Sequence, residues 1–257
     1  SAELLLGLSV LMRYAILSDL HGNEPALRAV IQRLHILLPD RVVCLGDLVG
    51  YNPFPTFCVR FVFENCDFVL RGNHDKAVAQ SGTCFEMNGI AESVIRWTRA
   101  ALSTKHIEYL TQLPAGPILI SDGLLICHGT PMDEDRYLAD INDVRESFAY
   151  IGESFRFARF CAVGHTHIPI VIGEGEKTVY PKNGLVVKLE QGRRYLLNPG
   201  SVGQPRDGDF RASFGVLDTE QLEFIVYRVS YAVEQTQKRI LEKSLHRFLA
   251  ERLAIGV

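Results

Sequence analysis

Short apolar runs that end abruptly in polar residues recur along the chain, and helical spacing follows the first of them. Arg13 to Leu17 (RYAIL) gives way to Ser18-Asp19, and the next segment places Ala26, Leu27, Val30, Ile31 and Leu34 on one face of a helix over residues 24 to 37. Arg41 to Leu45 (RVVCL) ends in Gly46-Asp47 and precedes a helical stretch at 55 to 64, and Asp67 to Leu70 (DFVL) ends in Arg71-Gly72-Asn73-His74. Strand alternating with helix predicts a mostly parallel sheet covered by helices.

Residues 75 to 112 read as helical, with Ile90, Val94, Ile95, Trp97, Leu102, Tyr109 and Leu110 as their apolar positions, and are expected to cap whatever the strand ends present. From 116 onward the pattern predicts strands at Pro117 to Ser121, Leu124 to Cys127, Phe160 to Val163, Ile168 to Ile172, Leu185 to Leu189, Arg194 to Leu197, Ser213 to Asp218 and Leu222 to Val229, most of them separated by glycine-bearing turns. The stretch from 231 to 253 reads as one amphipathic helix burying Val233, Ile240, Leu241, Leu245, Phe248, Leu249 and Leu253. With no repeat and no linker rich in Pro, Gly or Ser, one domain over 12–257 is expected, its two sheets face to face and its helices outside. Near the start, ELLLGLSVLM is too short to span a bilayer, no Lys or Arg precedes it and no cleavage pattern follows. Met12 directly precedes the first strand, so 1–11 is read as an N-terminal extension.

Composition narrows the function classes. The 257 residues are 47% hydrophobic and 22% charged, as in an ordinary globular protein, and the formal net charge of -3 gives no signal for nucleic acid or an anionic membrane. A phosphate substrate stays open, because bound cations reverse the local sign of a site. Six cysteines, at 44, 58, 66, 84, 127 and 161, form no C-x-x-C pair, and three lie inside apolar runs. That usage points to reduced thiols and a cytoplasmic location.

The polar residues at the strand ends carry the chemistry. Val163-Gly164-His165-Thr166-His167 sets two imidazoles two positions apart, and in extended chain both would face one small object. Alone, such a pair is a common accident. Four other strand ends also hold ligand-type residues: Asp19-Leu20-His21, Gly46-Asp47, Gly72-Asn73-His74 and Cys127-His128-Gly129. Five of the eight histidines fall in these loops, whereas His35, His106 and His246 sit in helical patterns. Carboxylates and imidazoles suit Mn, Fe, Zn and similar ions, and a set without thiolates fits a structural zinc poorly.

In order and chemistry these motifs, D-x-H, G-D, G-N-H-[DE], a histidine and G-H-x-H, resemble the calcineurin-like metallophosphoesterase superfamily. The later Asn198 to Asp209 (NPGSVGQPRDGD) also looks like a segment of its small bacterial members. The resemblance implies an α/β fold, a four-layer αββα sandwich of two mixed β-sheets with a dinuclear site at the strand ends. It implies two divalent or mixed-valence ions of the Mn, Fe, Zn or Ni type, one held by Asp19, His21 and His167 and the other by Asn73, His128 and His165, with Asp47 bridging. Such ions acidify a shared water and clamp the oxygens of an in-line displacement at phosphorus. It implies that His74 faces the leaving group as general acid. It also implies that His165 and His167 diverge, which requires the backbone to turn at Gly164.

Other positions keep two readings. Asn23 either caps the helix beginning near Glu24 or faces a substrate phosphate from that helix N-terminus. Asp75 either orients His74 or begins the next helix. Arg71 and Arg206 are phosphate-clamp candidates or ordinary ion-pair arginines, and Asp207 and Asp209 look like turn residues.

The protein phosphatases of the superfamily extend the second motif to G-D-x-x-D-R-G, whereas this chain reads Gly46-Asp47-Leu48-Val49-Gly50-Tyr51-Asn52. The difference moves the expected substrate from phosphoprotein towards a nucleotide or another phosphorylated small molecule, as diester or monoester. A non-catalytic scaffold on the same fold, like the related retromer subunit, is the competing reading, although this chain keeps every ligand position and His74. A metallo-β-lactamase-like site needs H-x-H-x-D-H, and Ile168-Pro169-Ile170 after His167 breaks that pattern.

Overall fold

The computed structural model describes residues 12–80 and 89–257; the N-terminal extension read at 1–11 lies outside them. In chain order, β1 (Arg13–Leu17), α1 (Glu24–Leu37), β2 (Arg41–Cys44), α2 (Pro55–Asn65), β3 (Phe68–Val69) and α3 (Asn73–Ala79) follow the strand–helix alternation of the sequence. Then come α4 (Gly89–Ala101), α5 (Thr104–Gln112), β4 (Ile118–Leu119), β5 (Leu124–Ile126), α6 (Ile141–Ser154), β6 (Phe160–Ala162) and β7 (Ile170–Gly173). The chain continues through β8 (Val186–Lys188), β9 (Tyr195–Asn198), β10 (Ala212–Asp218), β11 (Glu223–Val229), α7 (Val233–Glu242) and α8 (Arg247–Leu253).

Eleven strands among the described residues form two mixed sheets, ordered β3-β2-β1-β10-β11-β8 and β4-β5-β6-β9-β7. In the first, β1, β2 and β3 are parallel; in the second, β5, β6 and β9 are parallel. Successive side chains of a strand point to opposite faces. Along β1, Tyr14 and Ile16 enter the core between the sheets, where Val43, Leu45 and Leu70 meet Leu124, Ile126, Phe160 and Leu197. Ala15 and Leu17 face the other way, against Leu27 and Val30 of α1 and Val59 and Val62 of α2. Burial on both faces explains why these strands read as continuous apolar runs rather than alternating ones. On the far side of the second sheet, Val144, Phe148 and Ile151 of α6 cover Leu125, Cys161 and Leu196. The result is helix, sheet, sheet, helix.

Three sequence expectations change. The region between β5 and β6 contains α6, which the strand-dominated reading passed over; Asp140 caps it by accepting hydrogen bonds from the backbone N–H of Asn142 and Asp143. The single helix expected at 231–253 is two, α7 and α8, parted at Ser244, whose φ of 53° lies in the left-handed region. The segment expected at 75–112 divides its roles, with 81–88 outside the described residues: Leu110 of α5 joins the helical layer on the first sheet, while Val94 of α4 packs with Val233, Ile240, Leu249 and Leu253 of α7 and α8. Tyr51 borders that second cluster and ties it to the strand ends.

Candidate metal centre

Parallel strands carry their carboxyl ends to one edge of a sheet, where α/β folds gather ligands. Asp19 and His21 leave β1, Asp47 leaves β2, Asn73 and His74 follow β3, His128 follows β5, and His165 and His167 follow β6. Asp19, His21, Asp47, His165 and His167 all have φ between 46° and 63°. Non-glycine residues seldom occupy this region, and several at one place mark a backbone bent to aim side chains. At the Gly164 exit from β6 the Thr166 N–H donates to the Gly164 carbonyl over 2.7 Å, the turn that the divergence of the two histidines requires. A Cβ at Gly164 would lie 2.1 Å from Ser18 Oγ, so glycine lets the ends of β1 and β6 meet.

Two groups of acceptor atoms result, and Asp47 belongs to both: Asp19, His21, Asp47 and His167 in one, Asp47, His128 and His165 in the other. In the first, His167 Nε2 is 3.2 Å from Asp19 Oδ1, and His21 Nε2 is 3.4 Å from Asp47 Oδ2. In the second, His128 Nε2 is 3.6 Å from Asp47 Oδ2 and 3.3 Å from Asn73 Oδ1. Asp19, His21, Asp47, His128, His165 and His167 are buried.

The proton inventory shows that a cation suits these groups. Nδ1 of His21 faces the Val49 carbonyl at 3.1 Å, Nδ1 of His167 faces the Gln204 carbonyl, and Nδ1 of His128 faces the Leu45 carbonyl at 3.0 Å. Carbonyls only accept, so in the neutral rings each Nδ1 carries the hydrogen and each Nε2 presents a lone pair. Nε2 of His21 and Nε2 of His167 then face one another at 3.2 Å, beside an Asp19 Oδ1 that has no hydrogen-bond partner. His165 is arranged the other way: its Nε2 lies 3.2 Å from the Asp135 carbonyl, leaving Nδ1 as the free nitrogen. Converging acceptors without donors repel each other unless a cation lies between them, and carbonyl-anchored imidazoles are the usual support of metal ligands. Without metal, burial drives the His21 imidazole well below its ordinary pKa; burial also opposes His128, but the Asp47 carboxylate lifts it to about 9.

His74 lies in the first turn of α3, its backbone N–H donating to Asp47 Oδ1 over 2.9 Å. Its buried Nδ1 has no partner, and burial lowers its pKa to about 4. The ring packs against Tyr51 and His21, with centroids 4.4 and 4.8 Å away. Asp75 makes no hydrogen bond through its carboxylate to that imidazole. Its carboxylate accepts from the N–H groups of Leu48, Val49 and Gly72 over 3.0 to 3.2 Å, so of its two readings the structure places it as a clamp on the Asp47 loop and the start of α3.

The low-specificity candidates separate. Asn23 is fully buried and caps α1: Oδ1 accepts from the Ala26 N–H and the Thr236 hydroxyl, and Nδ2 donates to the Gly203 carbonyl and Tyr231. With every polar atom of its side chain engaged, the phosphate reading of Asn23 gives way to the cap. Arg71 holds Glu134 with two hydrogen bonds of 2.8 and 3.0 Å, and Lys76 joins the same carboxylate, so Arg71 is an ion-pair residue rather than an open clamp. Arg206 stays beside the site, its N–H donating to the His167 carbonyl and its guanidinium to the Tyr51 hydroxyl.

Sequence reasoning passed over the residues that brace the converging side chains. Asn198 Nδ2 donates to the Gly164 carbonyl and to Thr166 Oγ1, the Ser201 hydroxyl donates to the Asp19 carbonyl, and the Gln204 carbonyl holds His167. These contacts give physical content to the Asn198–Asp209 segment that the sequence marked only by resemblance. Tyr137, 46% exposed, stacks on His165 with centroids 3.8 Å apart, a contact that no local pattern announced.

The chain belongs to the calcineurin-like phosphoesterase superfamily, whose domain profile matches residues 12–222. The chain is 31% identical over 248 residues to an uncharacterized protein of Methanocaldococcus jannaschii, a match covering 94% of this chain and 97% of that one. It is also similar to a metallophosphoesterase of known structure from Sphaerobacter thermophilus, with a TM-score of 0.85 and 35% identity across 96% of this chain and all of the other. A hypothetical protein from Pyrococcus horikoshii shares the fold at a TM-score of 0.75 and 20% identity, over 95% and 98% of the two chains. No helix among the described residues is long and apolar enough to cross a membrane.

Proposed function

We propose that the protein is a dinuclear metal-dependent phosphoesterase that hydrolyses a phosphodiester or phosphomonoester of a nucleotide or another small molecule. The observation that carries this reading is Asp47, whose carboxylate belongs to both groups of converging acceptors. Asp19, His21 and His167 would hold one ion, Asn73, His128 and His165 the other, and Asp47 both, from the Mn, Fe, Zn or Ni class. When bound, the two ions acidify water and neutralise the phosphoryl oxygens.

The chain's own residues supply the rest. Val49, Leu45 and Gln204 fix three imidazoles by their carbonyls, so that Nε2 stays aimed at the centre. Asp75 clamps the loop from which Asp47 projects and the helix start that presents His74. His74, in the first turn of α3 and packed beside His21, is the residue that would serve the leaving oxygen as general acid, a role for which its imidazole must be protonated. Buried thiols at Cys44, Cys58, Cys127 and Cys161, all unpaired, suit a cytoplasmic enzyme.

The test is to strip the protein of metal, restore Mn, Fe, Zn, Ni or Mg separately, and compare an aryl phosphodiester with its monoester. Restored hydrolysis of either ester with two ions per chain supports the proposal. Binding of fewer than two ions at saturation, with neither ester hydrolysed, overturns it.

A further inference from the structure

The geometry points to a second anion-binding subsite beside the metal centre, formed by Arg206, Arg252 and the Tyr51 hydroxyl, that takes a phosphate of the substrate other than the one attacked. This rests on the phosphoesterase reading and narrows it from phosphorylated small molecules in general to polyphosphates such as a nucleoside di- or triphosphate.

Arg206 comes from the loop after β9 and Arg252 from α8, yet both converge on Tyr51, with guanidinium carbons 5.8 and 5.7 Å from its ring centroid. Arg206 donates to the Tyr51 hydroxyl over 3.4 Å and to Gln204 Oε1 over 3.2 Å, while its Nε is buried without a partner. Arg252 donates through Nε to an oxygen of Val257. Among the described residues neither has an Asp or Glu carboxylate within 4.0 Å, whereas Arg71, Arg136, Arg211 and Arg228 are all paired with acidic side chains. Burial, then the charge of Arg206, holds the Arg252 guanidinium below its ordinary range. Two cations partly removed from water around one ring, with no acidic side chain paired to either, are unfavourable, and an anion bound by both removes the penalty. Two guanidinium forks and a hydroxyl match the several oxygens of a phosphate.

The location gives the subsite its role. Tyr51 lies 4.6 Å from the His21 ring and 4.4 Å from the His74 ring, so the arginines flank the His74 side of the centre. Water adds at the attacked phosphorus, its bond to the bridging oxygen breaks, and that oxygen leaves with the electron pair on the phosphate held by Arg206 and Arg252. The water's hydrogen ends on the leaving phosphate by way of His74 or solvent, and the guanidinium charge stabilises the departing group.

Calorimetric titration of the chelator-treated full chain with tripolyphosphate and with orthophosphate tests the binding directly. Arg206→Gln and Arg252→Gln should each weaken tripolyphosphate binding at least about tenfold, the effect of a lost charged hydrogen bond. Arg252→Lys should recover part of it, and Arg247→Gln, on the exposed side of α8 and paired with Glu251, should leave it alone. In metal-loaded protein the ratio of kcat/KM for ATP to that for p-nitrophenyl phosphate should fall by a similar factor in both glutamine variants. Tripolyphosphate binding equal to wild type in both variants, or orthophosphate weakened in the same proportion, overturns the subsite. Arginine-dependent tripolyphosphate binding in a protein that hydrolyses no ester would sustain the subsite and sink the phosphoesterase reading. Aryl-ester hydrolysis with the ATP ratio unaltered in both variants would do the reverse.

Discussion

Nε2 of His21 and Nε2 of His167 face each other at 3.2 Å while the opposite nitrogen of each ring is turned to a backbone carbonyl. Two lone pairs at that distance are a liability in the metal-free protein. A divalent ion that binds the folded chain alone should therefore stabilise it, by about 2.7 kcal/mol at a hundredfold excess over its Kd. Thermal melts with and without chelator should show this rise in wild type and a smaller one in His167→Ala. A melting temperature indifferent to metal would argue that the acceptors converge for another reason.

His74 touches the Asp47 carboxylate only through its backbone N–H, and its imidazole Nδ1 is unpartnered. His74→Ala should therefore retain metal yet lose about 10²- to 10⁴-fold in kcat, the range of general acid catalysis, with the larger losses on esters of poor leaving groups. Equal losses on good and poor leaving groups would assign the imidazole a different role.

Gly50 has a φ of +95°, and a Cβ there would lie 2.4 Å from His74 Nδ1. Gly50→Ala should push that ring out of place and lower kcat while the metal content of the purified protein holds. Loss of metal in this variant would show that the 46–50 loop, not the His74 ring, absorbs the strain.

Asp75 supports the centre without facing it. Asp75→Ala leaves the buried N–H groups of Leu48, Val49 and Gly72 without their acceptor and should cost at least about 2 kcal/mol in urea unfolding, with activity falling as the Asp47 loop loosens. A fully stable variant would mean that other acceptors satisfy those amides.

The layers and the gathering of ligand-type residues at the strand ends were legible in the sequence because both follow from short-range order, whereas the assignment of those residues to two ions came from the family resemblance. Apolar runs buried on two faces look like strands, and ligand-type residues repeat at the end of each. The split between α7 and α8 was hidden because Leu241, Leu245 and Leu249 keep a four-residue apolar spacing across the break at Ser244, although Leu241, expected to be buried, is exposed. Helix α6 did leave a signal, Asp140 as a cap before Val144, Phe148 and Ile151, but the strands around it drew the reading. What the sequence could not show were pairings across long separations. Glu134 takes Arg71 from 63 residues away, and Thr236 and Gly203 engage Asn23 from 213 and 180. Those partners decide which polar residues remain open to a substrate.

The central claim is that one carboxylate, Asp47, holds two ions. Its most direct measurement is the metal content of wild type and Asp47→Asn after saturation with Mn and removal of unbound ion, read alongside hydrolysis of an aryl phosphate. The account predicts two ions per chain in wild type, loss of both in the variant, and activity falling together with them. A variant that keeps one tightly bound ion and most of its turnover would contradict it.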